Sequence, residues 1–217
     1  MSASILFLNG KIDLNFCEKY IANNFTIFDI YCADGSYRQI KESLFLSSHI
    51  KKVIGDFDSF DASLNDLFLV DKDQNSTDFE KSLKYLISLN TTKVFVFGAS
   101  EGEMDHFLSN ISVAKKYKNE IEIEFIDIYS RYFFIPKKFT ISGVLGKMFS
   151  VMPFGYADDI YYNGLRYPLN GGSLSISSMT GARNYAVDDK VEISYSKGDI
   201  LLFISHTNYK DRVNAVL

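Results

Sequence analysis

The stretch Val53-Ile54-Gly55-Asp56-Phe57-Asp58-Ser59 has the pattern of a buried strand that runs into an acidic loop. Its first two residues are β-branched, which is typical of strands, and Gly55 ends the run. Asp56 and Asp58 are two residues apart, so on a strand edge or in a tight loop both carboxylates can face one ion. Mg²⁺ usually binds one or two protein carboxylates together with substrate phosphates. A solvated acidic turn is the alternative for this pair alone, because aspartate favours turns.

A second acidic segment follows at Asp73-Gln74-Asn75-Ser76-Thr77-Asp78-Phe79-Glu80-Lys81. Thr77 and Glu80 have the spacing of a capping box, which predicts that a helix begins here. Asp78 then takes the first helical position, where a negative charge also suits the helix dipole. Apolar residues recur at helical spacing from Phe79 onward, so one face of this helix should pack inward.

Composition limits the classes of protein to which this chain can belong. The chain has 217 residues, of which 47% are hydrophobic, and a formal net charge of −4 without a basic tract. Nucleic acid is therefore an unsuitable partner. The two cysteines, Cys17 and Cys32, fit reduced thiols in a cytoplasmic protein better than a disulfide framework. The first ten residues do not have the pattern of a signal peptide, and no apolar run approaches the ~18 residues of a membrane span.

The first 131 residues alternate between strand and helix patterns, which predicts an α/β domain with a mostly parallel, Rossmann-like sheet and helices on both faces. The predicted strands lie at 5–8, 27–32, 52–54, 68–70, 93–97 and 121–129, and the predicted helices at 13–22, 37–46, 77–89 and 104–117. Ligands of such sheets bind outside the carboxyl ends of the strands.

Five aspartates follow these strands directly or stand at the starts of the helices that come next. They are Asp34, Asp56, Asp58, Asp78 and Asp105. We expect them to converge on one edge of the sheet. Carboxylates gathered there would repel one another unless a cation lay among them. The alternative is that each acid is merely solvated or caps a helix.

Residues 132–217 have a different pattern. Short strand-like runs are separated by Gly, Asn, Asp and Ser, without a strong helical period. The runs lie at 139–141, 146–152, 160–162, 173–177, 190–196 and 200–204. We predict a small all-β domain here, with a sandwich architecture.

Several segments, in this order, resemble the motifs of the thiamine pyrophosphokinase family, and the resemblance covers most of the chain. They are Ala33-Asp34-Gly35, Gly55-Asp56-Phe57-Asp58-Ser59, the segment from Asp73 to Lys81, Asp105-His106-x-Leu108-x-Asn110 and Gly164-Leu165-Arg166-Tyr167-Pro168-Leu169. Two positions depart from the family pattern. Glu103 stands where the family usually has an arginine, and Arg183, in Gly181-Ala182-Arg183-Asn184, stands where it usually has a serine.

The resemblance implies transfer of the terminal diphosphate of ATP to the hydroxyl of thiamine, with release of AMP. It implies that Mg²⁺ is held by Asp56, Asp58 and Asp78. The nucleotide or diphosphate site would be lined by Asp34, Gln74 and Thr77. Lys81 would contact a phosphate, with a solvated lysine on the helix surface as the alternative. Asp105 would receive an anion or orient the hydroxyl, and the proton acceptor stays open among Asp34, Asp78 and Asp105. His106 is interpreted as a structural hydrogen-bonding residue.

The resemblance also assigns thiamine binding and dimerisation to residues 132–217. Tyr167 is a candidate for stacking on the thiamine rings, with an ordinary core role as the alternative. Arg183 and Asn184 belong to the region that the family uses near the thiamine pocket. The family forms its acceptor pocket between subunits, so a homodimer is implied.

Two other functions fit part of the sequence. A strand that runs into Asp56-x-Asp58 is also typical of haloacid-dehalogenase-type phosphatases, with Asp158 and Asp159 as a possible late acidic pair. That interpretation leaves the segment from Asp73 to Lys81 unexplained. The second alternative is a lapsed kinase that only binds thiamine diphosphate or a nucleotide, since Glu103 replaces an arginine.

Overall fold

The computed structural model describes residues 3–57 and 66–214, with side chains to residue 211. Asp58 and Ser59 therefore lie outside the described residues. The chain divides into two compact units, Met1–Ile128 and Tyr129–Leu217. The sequence places the domain boundary close to this point, after residue 131.

The first unit is built from alternating strands and helices. Its strands are β1 (Ala3–Phe7), β2 (Phe28–Ala33), β3 (Ile50–Gly55), β4 (Phe68–Val70), β5 (Lys93–Phe97) and β6 (Glu122–Ile126). Its helices are α1 (Leu14–Asn24), α2 (Tyr37–Ile40), α3 (Leu44–Ser47), α4 (Asp78–Ser88) and α5 (Met104–Tyr117), and a short 3-10 turn spans Asp34–Ser36. The single helix predicted at 37–46 is wrong in one respect: it is two short helices, because Ser43 caps the second one with its hydroxyl.

The strands of the first unit form a parallel sheet in the order β4-β3-β2-β1-β5-β6. This arrangement confirms the predicted mostly parallel α/β sheet. The chain moves outward from β1 to β4 and then returns to the other side of β1 with β5. The reversal opens a crevice between the loops that follow β1 and β5, which is where ligands of such sheets bind.

Helices cover both faces of this sheet. Neighbouring residues of a strand point to opposite sides, so their contacts identify the helix on each face. On β2, Ile30 packs in the core cluster that contains Cys17 and Ile21 of α1. The adjacent residue, Tyr31, contacts Tyr85 of α4 instead, with ring centroids 6.2 Å apart. Helices α1 and α4 therefore lie on opposite faces, as the sequence predicts.

The N-terminus of α4 has half of the predicted capping box. The Thr77 hydroxyl accepts the Glu80 backbone N–H at 3.2 Å. The Glu80 carboxylate turns toward α5, where it accepts the Lys116 ammonium at 2.6 Å and the Tyr117 hydroxyl at 2.9 Å. The cap thus fixes the start of α4, and the Glu80 side chain joins two helices that follow different strands.

The second unit is all β apart from its last helix. Its strands are β7 (Ser130–Phe134), β8 (Lys138–Ile141), β9 (Lys147–Asn163), β10 (Leu169–Ser175), β11 (Gly181–Tyr185), β12 (Val191–Ser194) and β13 (Lys197–Asn208), and α6 spans Tyr209–Asn214. The order is β7-β13-β9-β12-β8, with β10 and β11 also paired with β9. All of these pairs are antiparallel.

Strand β9 organises the second unit and corrects one expectation. The runs predicted at 146–152 and 160–162 are parts of this single strand, which bends at positive-φ residues, Gly155 (φ 89°) and Asp159 (φ 54°). Its buried residues Phe149, Val151 and Ile160 join one apolar core. Among the described helices of both units, none is long and apolar enough to cross a membrane.

Candidate active site

A cavity of about 620 Å³ lies in the first unit, at the carboxyl ends of its strands. The loops after β1, β2, β3 and β5 line it, together with the first turns of α4 and α5. Its position is the one expected for a ligand site in a parallel sheet. The aspartates that the sequence singles out can therefore be placed against a defined space.

Asp34, Asp56 and Asp78 meet in this cavity. One carboxylate oxygen from each lies within 4.8 Å of the other two, and all three side chains are half-buried. Asp34 follows β2, Asp56 follows β3, and Asp78 is the first residue of α4. Asp34 thus joins the two predicted metal ligands that the structure describes. The third predicted ligand, Asp58, lies outside the described residues.

Gly55 makes the approach of Asp34 to Asp56 possible. A Cβ atom on Gly55 would lie 2.5 Å from the Cβ of Asp34, closer than real side chains come. The backbone of β3 can pass Asp34 only because this position has no side chain. The glycine that ends the strand in the sequence therefore has a packing role at the site.

The environments of Asp34 and Asp78 oppose the negative charges of these two carboxylates. Burial raises the pKa of Asp34, and the charges of Asp78 and Asp56 raise it further, while the Phe57 backbone N–H and Arg38 lower it. Burial also raises the pKa of Asp78, against the hydrogen bond and charge of Lys81. Such raised values arise when acids gather without a cation.

Lys81 supplies positive charge from inside the first unit. Its Nζ lies 3.2 Å from Asp78 Oδ1 and 3.8 Å from Asp56 Oδ2, and its side chain is only 1% exposed. One turn of α4 separates it from Asp78, so the helix itself sets this spacing. Lys81 lines the cavity, as does Thr77. The sequence predicts Lys81 as a phosphate ligand, and in this structure it contacts the carboxylates.

The remaining residues of the second acidic segment shape its turn. Gln74 is exposed, with its Nε2 3.5 Å from Asp56 Oδ2. Asp73 accepts the Asn75 backbone N–H at 2.9 Å and the Ser76 hydroxyl at 2.6 Å. The hydrogen bond from Ser76 is the main cause that lowers the pKa of Asp73. Asp73 therefore stabilises the turn before α4 rather than joining the three clustered aspartates.

Asp34, Asp56 and Asp78 have the donor set that a hard divalent cation requires. Oxygen ligands suit Mg²⁺, which binds few protein carboxylates and keeps positions for water or phosphate. The raised pKa values of Asp34 and Asp78 show that positive charge between them would be favourable. These residues therefore fit a magnesium ion.

Asp105 is placed differently from the other predicted acids. It is exposed in the first turn of α5, and its Oδ1 accepts the His106 backbone N–H at 2.9 Å. The cavity is lined instead by its neighbours His106 and Glu103. The His106 ring lies 3.7 Å from the Glu103 carboxylate, and both side chains are exposed. The position at which α5 begins decides which residue of its first turn lines the cavity. The sequence pattern does not determine that position.

Several polar residues that line the cavity are not among the residues predicted from the sequence, including Asn9, Lys11 and Arg38. Asn9 and Lys11 follow β1, and Arg38 lies in α2, after the 3-10 turn. Their position just beyond predicted strands is the sequence signal that indicates a place at the same edge of the sheet. Asn110, on α5, ties this helix to the β5 loop by donating to the Ala99 carbonyl at 3.0 Å.

In the second unit, Asn184 holds Tyr167 in place. Its Oδ1 accepts the Tyr167 backbone N–H at 3.1 Å, and its Nδ2 donates to the Tyr167 carbonyl at 2.8 Å. Asn184 is buried, whereas the Tyr167 side chain is exposed. Arg183 is also exposed and has a positive φ of 57°. The segments around residues 164–169 and 181–184, predicted separately, are therefore joined.

Comparison with known families gives a result for each unit. Residues 21–125 match the model described as "Thiamin pyrophosphokinase, catalytic domain". Residues 135–200 match "Thiamin pyrophosphokinase, vitamin B1 binding domain". The two ranges together span most of the chain, and both models belong to one family. The chain belongs to the thiamine pyrophosphokinase family.

Relatives agree with this family membership. The thiamine pyrophosphokinase of Bacillus subtilis (strain 168) is 28% identical over 171 residues, which cover 72% of this chain and 78% of that protein. A crystal structure of the Bacillus subtilis thiamine pyrophosphokinase has a TM-score of 0.76 at 21% identity, covering 93% of this chain and 98% of the other. The yeast thiamin pyrophosphokinase structure has a TM-score of 0.77 at 18% identity, covering 100% of this chain and 89% of the other. These structures have the same fold.

Proposed function

We propose that the chain transfers the diphosphate of ATP to the hydroxyl of thiamine, producing thiamine diphosphate and AMP. The observation that carries the proposal is the meeting of Asp34, Asp56 and Asp78 within 4.8 Å in the cavity of the first unit. Transfer of a phosphorus group depends mainly on positioning and on neutralising charge. A cluster of carboxylates suited to a divalent cation meets both requirements, in a chain that belongs to this family.

Asp34, Asp56 and Asp78 would hold Mg²⁺, and the sequence adds Asp58 to this proposal. When bound, Mg²⁺ supplies positive charge that neutralises the polyphosphate and polarises the attacked phosphorus. Lys81 keeps the carboxylates oriented, because it contacts Asp78 and Asp56 from the buried side. Thr77 fixes the start of α4 and thereby the position of Asp78. Gln74, near Asp56, would complete the diphosphate site.

In the reaction the hydroxyl oxygen of thiamine bonds to the β-phosphorus of ATP as the bond from that phosphorus to the bridging oxygen of AMP breaks. The hydroxyl proton passes to a carboxylate. Asp34 and Asp78 are the better placed acceptors, because both line the cavity. Asp105 is a weaker candidate, because it does not line the cavity and its Oδ1 already accepts the His106 N–H.

The second unit would bind thiamine, in accord with the family model that it matches. Tyr167 presents an exposed ring that is suited to stacking on an aromatic ligand, and Asn184 fixes its backbone. Arg183 lies beside Asn184 on β11. The proposal includes a homodimer and a cytoplasmic location, and the buried free thiols of Cys17 and Cys32 suit a reducing compartment.

The decisive experiment is identification of the products by mass spectrometry after the protein is mixed with ATP, Mg²⁺ and thiamine. Equal amounts of AMP and thiamine diphosphate are expected. Release of inorganic phosphate without AMP would favour the phosphatase alternative. That alternative has little support, since Asp158 and Asp159 lie in β9, and Asp159 accepts the Ser196 hydroxyl at 2.5 Å. Thiamine binding in calorimetry without AMP formation would favour a lapsed kinase.

Substitution of the aspartates tests the site itself. Asp56→Asn should lower the turnover number at least 100-fold, because an amide cannot replace an anionic magnesium ligand. Asp58→Asn should also abolish Mg²⁺-dependent transfer while leaving the fold nearly intact. Glu42→Gln is a matched control, since Glu42 is exposed between α2 and α3 and does not line the cavity. Unchanged turnover in Asp56→Asn or Asp58→Asn would remove that residue from the site.

A further inference from the structure

Lys11 lies where the loops after β1 and β5 diverge, at the crevice of the parallel sheet. The Gly10 backbone N–H donates to the Gly98 carbonyl at 2.9 Å, and the Lys11 N–H donates to the Glu101 carbonyl at 3.0 Å. A Cβ atom on Gly10 would lie only 2.4 Å from the Gly98 oxygen, so the two loops are in close contact. These bonds hold Lys11 at the edge of the cavity that it lines.

The cationic side chains of this cavity are engaged to different degrees. Lys81 is buried against Asp78 and Asp56, at 3.2 Å and 3.8 Å. Arg38 interacts with Asp34, whose pKa its charge lowers. Lys11 is exposed and, across residues 3–57 and 66–211, forms no ion pair with a carboxylate. Its charge is therefore available to an anionic ligand.

The cavity needs such a charge if a polyphosphate is to enter it. Besides the three clustered aspartates, Glu101 and Glu103 line it. Like charges in one cavity repel a negatively charged ligand unless cations compensate for them. Lys81 already neutralises part of the aspartate cluster, so its charge does not compensate for the two glutamates. Lys11 is joined to Glu101 through the backbone and lies on the same side of the cavity.

We propose that Lys11 binds the polyphosphate of the nucleotide co-substrate through its ammonium group. The inference rests on the proposed function, since it assigns a ligand to the same cavity. It adds a binding residue that the sequence pattern did not single out, and it moves the role predicted for Lys81 to the loop after β1. A lysine ammonium binds phosphate as a point charge with several donors.

The test compares Lys11→Gln with the wild-type protein by calorimetry in the presence of Mg²⁺. The probes are α,β-methylene ATP, in which the bond to be cleaved is blocked, inorganic diphosphate, and adenosine. For Lys11→Gln we expect the dissociation constants of both phosphate probes to rise about tenfold. Binding of adenosine should stay the same, because it lacks phosphate. Lys11→Arg should restore most of the affinity, and Lys19→Gln, which changes an exposed lysine of α1 outside the cavity lining, should have no effect.

Unchanged diphosphate affinity in Lys11→Gln would overturn the proposal, as would an equal loss for adenosine and diphosphate. Failure of the wild-type protein to bind either phosphate probe would overturn it as well. These outcomes are independent of turnover. A wild-type protein that binds the probes through Lys11 but forms no thiamine diphosphate would contradict only the proposed function.

Discussion

Lys81 Nζ lies 3.2 Å from Asp78 Oδ1, although the Lys81 side chain is almost completely buried. A buried ammonium group is stable only where nearby carboxylates compensate for its charge. The same carboxylates are those that would bind a divalent cation. Lys81 therefore performs part of the neutralisation that Mg²⁺ would complete, and its charge opposes the rise that burial causes in the pKa of Asp78.

Removing this buried charge should destabilise the protein. Lys81→Met would leave Asp78 and Asp56 without their lysine partner, and we expect the free energy of unfolding to fall by about 1–3 kcal/mol, because the carboxylates are partly solvated. Urea denaturation with EDTA measures this loss, and Mg²⁺ should restore part of it.

Lys84→Met is the matched control for that experiment, because Lys84 lies on the same helix but is half-exposed and reaches Asp73 and Glu80 only at 3.8 Å. We expect Lys84→Met to lower the free energy of unfolding by less than about 0.5 kcal/mol. Equal losses in the two variants would contradict a special role for Lys81.

Gly55→Ala should disturb the site through packing alone. The added methyl group would lie 2.5 Å from the Asp34 Cβ, so either β3 or Asp34 must move. We expect a loss of stability of about 1–3 kcal/mol, together with weaker Mg²⁺ binding. Denaturation and magnesium titration measure the two effects separately. A variant that binds Mg²⁺ as the wild type does would show that the position of Asp34 is not critical.

The predictability of the fold from the sequence differed between the units. Alternating strands and helices identified the parallel sheet, because each strand of the first unit is a short apolar run bounded by turn residues. The strand β9 was divided in two, since Gly155 and the aspartates before Ile160 resemble turn signals. The strand β11 was missed because Arg183 and Asn184 give it a polar pattern. Its pairing with β9 depends on contacts that are distant in sequence.

Part of the candidate site was predictable from the order of strands and helices. A residue that directly follows a parallel strand must lie at one edge of the sheet, which placed Asp34 and Asp56 together with Asp78. The orientation of a side chain in the first turn of a helix depends on where that helix begins. This explains why His106 lines the cavity and Asp105 does not. The contacts of Lys81 with Asp78 and Asp56 are also not predictable from the sequence. They depend on how α4 is buried against the sheet.

The Asn184 amide should be important for stability because both of its polar atoms bond to the Tyr167 backbone. Asn184→Ala would leave the partly buried N–H and carbonyl of Tyr167 without this partner, and we expect the free energy of unfolding to fall by about 1–3 kcal/mol. The KM for thiamine should rise as well if Tyr167 stacks on the acceptor. Asn170→Ala, at an exposed position on β10, is the control and should change stability by less than about 0.5 kcal/mol. Unaltered stability in Asn184→Ala would show that the two segments do not depend on this amide.

The pH dependence of stability gives a test that does not require turnover. Burial and the charges of Asp78 and Asp56 raise the pKa of Asp34. Between the ordinary aspartate pKa of about 4 and this raised value, the folded protein binds more protons than the unfolded chain, so the contribution of Asp34 to stability falls as the pH rises. Asp34→Asn removes this unfavourable charge. Without metal it should therefore be more stable than the wild type at pH 7, by less than about 1 kcal/mol because solvent screens the site.

The advantage of Asp34→Asn should shrink toward pH 4, where the wild-type carboxyl is itself protonated. Urea denaturation in EDTA at several pH values measures this trend. In Mg²⁺ the order should reverse, because the wild type gains binding energy that the variant lacks. An Asp34→Asn protein that is less stable than the wild type at pH 7 without metal would show that Asp34 is held by favourable contacts, and the electrostatic account of the site would be wrong.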